Sequence, residues 1–243
     1  MDNFLYIGFM TSCLRSLLSA ILVLSIIGLQ AQPSGDTIAT RTAANQAILD
    51  YQLFIGGQAR IYNGTEYISY PPLIGNAWFA DEGIGEGTIV YDGIPYQHLR
   101  MLYDIVRDQV IISNADGNLI TLAGDKISEF FLAGHHFIRT PSGFYELLSP
   151  GDPAILAKRT KIIEESISGT ELRRIVTEND RYYALKGGVY YHLDNLSSLL
   201  TLLKDKKKEI TRYLRDNNIR YRKDKEKALT AAAGFYNNQT SHP

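Results

Sequence analysis

A chain of 243 residues with 45% hydrophobic and 21% charged side chains has the make-up of a globular protein, with room for one sizeable core or two smaller ones. The formal net charge of −1 hides an asymmetry: residues 204–227 hold eleven Lys or Arg against five Asp or Glu, a local +6 that leaves −7 elsewhere. The single cysteine, Cys13, falls in a leader expected to be removed, which excludes disulfides and thiolate metal ligands from the mature chain.

Residues 1–31 read as a secretory signal. Ser16 to Leu29 is an apolar run behind Arg15, and the small residues Gly28 and Ala31 suit cleavage after Ala31. The run is shorter than the roughly 20 apolar residues of a membrane-spanning helix. Met10 competes with Met1 as the start, because MTSCLR makes the more typical basic region. The expected location is therefore periplasmic or extracellular, soluble after cleavage. Residues 32–54 form a linker, PSGDTIATRT, and a short amphipathic helix with Ala43, Ala47, Ile48 and Tyr51 on one face.

Residues 55–193 carry the β signal, centred on Gly87 to Arg139. Runs rich in Val, Ile, Tyr, Phe and Thr are divided by turn residues at Asp92-Gly93, Asn114 to Asn118 and Gly124-Asp125. Tyr62-Asn63-Gly64-Thr65-Glu66-Tyr67 predicts a hairpin through its Asn-Gly pair. Ile89 to Tyr96 around Asp92-Gly93 predicts another, with Pro95 at an edge or strand end. Gly143 to Leu148 and Ile155 to Ile163 predict a pair around Pro150 to Pro153. Tyr182 to Leu193 around Gly187-Gly188 is the clearest hairpin of all. The short connections predict about ten strands, mostly antiparallel. The 16 Tyr of the chain suit half-buried sheet faces.

At Asp194 the apolar period lengthens. In residues 194–243 Leu199, Leu200 and Leu203 share one helical face, and Ile210, Tyr213 and Leu214 another. Asp205 is placed to cap the second helix and Asn217-Asn218 to end it; Asp224 can cap a third with Ala228, Leu229, Ala232 and Tyr236 inward. The fold expected is α+β: an antiparallel β-meander, as a twisted sheet or open barrel, followed by C-terminal helices packed on it. Their apolar stripes predict docking rather than a free basic arm.

Five segments together carry a family resemblance: Tyr62 to Tyr67, Leu102-Tyr103-Asp104-Ile105 with Asp108, Gly143-Phe144-Tyr145-Glu146, Leu156 to Lys161, and Asp205 to Glu209. On these the chain resembles uncharacterised exported proteins of Gram-negative bacteria, from about Tyr62 to Tyr236. The resemblance implies an exported β-rich domain with a helical C-terminus. It implies no catalytic residue, ligand or partner.

Catalytic and cofactor patterns fail on chemistry. His135-His136 in a strand point to opposite faces and cannot share one metal ion. Aligning Gly117 with the glycine of a calcium loop puts Ile112 and Ala123 where oxygen ligands belong. Gly83-Ile84-Gly85-Glu86-Gly87 leads into a strand instead of the helix N-terminus that a phosphate cradle needs. Ser142 lacks a nucleophile elbow, and the adjacent carboxylates Asp81-Glu82 and Glu164-Glu165 diverge in extended chain. No cofactor is expected, and the pattern leans away from an enzyme. The expectation is an envelope protein that binds or supports another component, with an anionic envelope polymer, lipid or second envelope protein as its partner and nucleic acid disfavoured by export. Lys206, Lys207, Arg212, Arg215 and Arg222 form the candidate interaction face, beside the plainer reading of a solvated helix face whose long cations cover apolar surface and stay in water. The alternative is an envelope hydrolase acting on a glycan or peptide through acidic or His residues brought together by the fold.

Overall fold

The computed structural model describes residues 42–43, 46–47 and 60–240, except 81–82 and 169–170. The chain divides after Phe54. In the first unit Thr42, Ala43, Gln46 and Ala47 are helical and exposed. The remainder of the predicted helix, the leader with Cys13, and the Asp81-Glu82 pair lie outside the described residues.

The second unit is an open antiparallel meander followed by helices. Its strands are β1 (Thr65–Glu66), β2 (Gly85–Tyr91), β3 (Ile94–Asp104), β4 (Gln109–Ser113), β5 (Leu119–Thr121), β6 (Ile127–Leu132), β7 (His135–Thr140), β8 (Gly143–Ser149), β9 (Ala154–Lys158), β10 (Lys161–Ser168), β11 (Glu171–Glu178), β12 (Arg181–Lys186) and β13 (Val189–His192). Eleven of them make one sheet in the order β1-β5-β4-β3-β2-β6-β7-β8-β9-β12-β13, and β10-β11 is a separate hairpin inserted between β9 and β12. Every pairing between these strands is antiparallel, so tight turns suffice. Three of the turns place both central residues at positive φ: Asp92-Gly93, Ala133-Gly134 and Gly187-Gly188. That conformation matches the twist of the strands it joins, and it explains the glycine at each second position.

The sheet curls. Ring centroids of Tyr103 on β3 and Phe144 on β8 lie 6.0 Å apart, although β2, β6 and β7 separate those strands. In a flat sheet four strand spacings would put them about 19 Å apart. Tyr103, Phe130, Phe137 and Phe144 close the core by edge and stacked contacts, with Ile89, Met101 and Ile112 around them. Gly87 permits this closure: a Cβ there would meet Met101 Sδ at 2.2 Å and the Phe131 carbonyl oxygen at 2.5 Å. A smaller cluster of Tyr67, Leu102 and Ile111 lies against Trp78 and Tyr70.

The helices are α1 (Leu196–Leu202), α2 (Lys207–Asp216) and α3 (Lys225–Thr240). They are docked, as their stripes predict. Leu199, Leu203, Ile210, Leu214, Leu229, Ala232 and Tyr236 are buried in one cluster with Ile155 of β9 and Ala184 of β12. The Asn195 side chain caps α1 by accepting the Ser198 amide at 3.1 Å. Asp224 accepts the Lys227 amide at 2.9 Å at the start of α3. Asn218 ends α2 at φ +55. No helix among the described residues is long and apolar enough to cross a membrane.

Three expectations need correction. Asp205 does not cap α2; it sits in a 3-10 turn, Lys204–Lys206, and the N-cap residue Lys206 makes no side-chain capping bond. Tyr62 to Tyr67 is not a hairpin. Arg60–Tyr62 is a 3-10 turn, and Thr65–Glu66 instead pairs with β5 across more than 50 residues of chain. Gly64 is required there by close approach, since a Cβ would lie 2.3 Å from the Thr121 carbonyl oxygen. The strand from Ile155 to Ile163 breaks after Lys158, because the Arg159 side chain is drawn into a carboxylate cluster and the Thr160 amide donates to Asp180 at 3.2 Å.

Candidate functional site

Three buried or partly buried polar clusters gather groups distant in the chain around carboxylates, three of them in the first cluster and one in each of the others, and each carboxylate is met by its own partners. In the first, Arg159 donates through Nε to Glu146 at 2.6 Å. Its Nη1 donates to Asp180 at 2.6 Å and to Glu226 at 2.7 Å. The Tyr182 hydroxyl donates to Glu226 at 2.9 Å, and His135 Nδ1 lies 2.5 Å from the other Glu146 oxygen. Side chains of Arg159 and Glu146 are only 11% and 5% exposed. Burial opposes the Arg159 charge, but the hydrogen bonds it donates to Glu226, Asp180 and Glu146 outweigh it and raise its affinity for the proton. Burial likewise pushes the Glu226 carboxyl upward, and the bonds and charge of Arg159 overcome that and hold it below its ordinary value. The cluster joins β7, β8, the chain before β12, and α3.

In the second cluster Asp104 is fully buried. It accepts the Tyr70 hydroxyl at 2.9 Å, the Tyr67 hydroxyl at 3.1 Å, and the amides of Val106 and Arg107 at 2.9 and 3.0 Å. Arg107 lies over the Tyr70 ring, 3.9 Å from its centroid. Burial, and then the Asp104 carboxylate, drive both tyrosines well above their ordinary range.

The third cluster gathers residues that the sequence reading singled out separately. Asp108 accepts the Tyr103 hydroxyl at 2.5 Å, Lys158 Nζ at 2.7 Å and the Phe144 amide at 3.3 Å. Gly143 sits at φ +106, where a Cβ would lie 1.9 Å from Asp108 Oδ2, so only glycine fits beside that carboxylate. Tyr103, Asp108, Gly143 and Lys158 belong to three different sequence segments, and together they pin β3, β8 and β9.

His135 and His136 do lie on opposite faces, but both are half-buried. His135 faces Phe79 and Glu146; His136 stacks on Phe131 at 4.1 Å and reaches Glu129 at 2.7 Å. No group of three His, Cys, Asp or Glu placed to hold a metal ion occurs among the described residues. Asn114 to Asn118 is a tight turn: the Asn114 side chain accepts the Asn118 amide at 2.8 Å, and Gly117 takes φ +85. Glu164 and Glu165 face opposite sides of β10, and Glu165 pairs with Arg174 at 2.8 Å.

Of the predicted cationic face, Lys207, Arg212, Arg215 and Arg222 are exposed and Lys206 is half-buried. None of the five belongs to the apolar cluster that holds Ile210 and Leu214; Arg215 borders the cleft beside Leu214 and pairs with its neighbour Asp216 at 3.1 Å. Two further surfaces escape the sequence reading. The β10-β11 hairpin exposes the cross-strand pair Ile167 and Leu172 near its tip, although a two-stranded hairpin has little stability of its own. Strand β13 closes one edge of the sheet with Val189, Tyr190 and Tyr191 all exposed. Alternation alone does not show which strand face meets solvent.

Two clefts among the described residues are large enough to consider. One, of about 330 Å³, lies between α1 and α2. The other, of about 210 Å³, is a groove beside the Ala133-Gly134 turn, with Glu86 and His98 on its rim 2.6 Å apart. Both of those side chains are largely exposed, at 69% and 80%. No family model, curated protein or solved structure matches this chain.

Proposed function

We infer that this is an exported, non-catalytic envelope protein that uses its helical cap to bind an anionic envelope component or another envelope protein. The observation that supports this reading is the two-sidedness of the cap. Its apolar side is committed to the sheet, while Lys207, Arg212 and Arg222 stand in solvent without being needed for that packing. The acids of the three polar clusters are met by Arg, Lys, Tyr and backbone donors, which supports a role in fastening strands. Exposed cations steer anionic partners over roughly a Debye length and lose that pull in salt.

The test is binding to anionic vesicles and to a soluble polyanion across a salt series. It compares the parent with a variant carrying Lys207→Glu, Arg212→Glu and Arg222→Glu. Parent binding that weakens with salt and disappears in the variant is expected; equal binding by both would overturn the reading. Fractionation with N-terminal sequencing tests export in the same cells, and a cytoplasmic, uncut chain refutes it. The Glu86–His98 pair beside its groove favours a second reading, a hydrolase. Glycan or peptide turnover that vanishes in Glu86→Gln would raise that reading above the first.

A further inference from the structure

We propose that the cleft between α1 and α2 binds a free fatty-acid anion, taking the acyl chain on its floor and the carboxylate at its rim. The floor is apolar: Leu196 and Leu200 come from α1, Leu214 from α2, and Ile219 from the chain just beyond it. A space of about 330 Å³ lies within the range of small-ligand pockets, which are mostly apolar with a few placed polar groups.

The way α2 ends builds this site. The Asn218 amide donates to the Arg215 carbonyl at 3.0 Å, and the Ile219 amide donates to the Leu214 carbonyl at 2.8 Å. With Asn218 in the left-handed region, this pair of bonds folds the chain back and sets Ile219 against Leu214. The same reversal brings Arg220 to the cleft opposite Arg215. Arg215 shares its guanidinium with Asp216. Arg220 makes no side-chain hydrogen bond or ion pair among the described residues.

An uncommitted guanidinium beside an apolar cleft suits an anion that carries an apolar chain. Its planar fork matches a carboxylate, and the leucine floor gains by exchanging water for methylenes. A neutral alcohol of equal length satisfies the floor and leaves the guanidinium unanswered. A short carboxylate does the reverse. The surrounding stretch is rich in cations, which raises the local concentration of anionic amphiphiles.

This inference rests on the binding reading of the helical cap only through Arg215, and its test separates the two. The full-length protein is titrated with dodecanoate below its micelle-forming concentration, with dodecanol and acetate as comparators. The readout is displacement of an environment-sensitive fluorescent fatty acid. Dodecanoate should bind and acetate should not, with dodecanol weaker than dodecanoate by about tenfold. Arg220→Gln should weaken dodecanoate by about tenfold and leave dodecanol unchanged. Ile219→Trp, which fills the cleft, should abolish both, and thermal melts of each variant check that the fold persists. Arg100→Gln, exposed on β3 and outside the helical cap, should bind dodecanoate as the parent does. The proposal is overturned if dodecanoate fails to bind, if Arg220→Gln binds it like the parent, or if a folded Ile219→Trp retains binding. It is also overturned if only anionic vesicles displace the probe; that last outcome leaves the broader cationic-face reading standing.

Discussion

Leu214 is the residue on which docking of the helical cap can be measured. It is 4% exposed, packs in the cluster shared with Ile155 and Ala184, and meets Ile219 across the end of α2. Burying a leucine is worth about 1.5–3 kcal/mol, and truncation usually adds the cost of a cavity. Here the residue already borders a cleft, so Leu214→Ala should cost about 2–3 kcal/mol, the low end of the core range. Leu214→Asp also strips water from a carboxylate. The cleft gives that carboxylate partial access to solvent, which limits the total to about 3–5 kcal/mol. Against a domain stability of about 5–15 kcal/mol, either loss is large. Lys207→Glu is the control: it is exposed, and an acid in the first turn of α2 suits the helix dipole, so its effect should stay within about 0.5 kcal/mol. Urea denaturation followed by circular dichroism reports the helices. Fluorescence of Trp78, the chain's single tryptophan, reports the far side of the meander. Both signals should shift to lower urea together in the two Leu214 variants. Midpoints equal to the parent's would show that the cap is not docked. A shift in circular dichroism alone would show that the cap unfolds independently of the sheet.

Arg159→Met should cost about 3–5 kcal/mol, because it leaves Glu146 buried with only His135 beside it while Asp180 and Glu226 lose their cation. Urea midpoints check this, and a loss under 1 kcal/mol, on the order of a surface pair, would mean the cluster is solvated. Glu226 gives that region an acid-labile contribution. Its folded carboxyl titrates below the ordinary value, so its stabilisation is present above the unfolded value and is lost as pH falls through the lowered folded one. Stability measured from neutral to acid pH should therefore fall more in the parent than in Glu226→Gln; parallel curves would refute the coupling.

Local chemistry wrote much of the architecture into the chain. Asp92-Gly93 and Gly187-Gly188 predicted the turns they form, because positive φ at both central positions is a one-residue steric preference. The stripes Leu199/Leu203 and Ile210/Leu214 predicted docked helices, because a 3.6-residue period needs an apolar surface to meet. Asp224 was placed as a cap by spacing alone. Where two local signals competed the sequence misled: Asn63-Gly64 looks like a hairpin turn, and only the distant strand β5 shows that Gly64 is there to clear the Thr121 carbonyl. Tertiary structure alone decided the partners. Lys158 and Asp108 are 50 residues apart and Arg159 and Glu226 are 67 apart, and nothing local says which carboxylate a cation will meet. It also decided the cleft. Asn218 could be read as a helix end, but the space beneath Ile219 exists only because α1 packs at a distance from the end of α2 that their side chains do not fill. Patterns of period and turn are set by neighbours in the chain, whereas a vacancy or an ion pair is set by where the folded chain returns to itself.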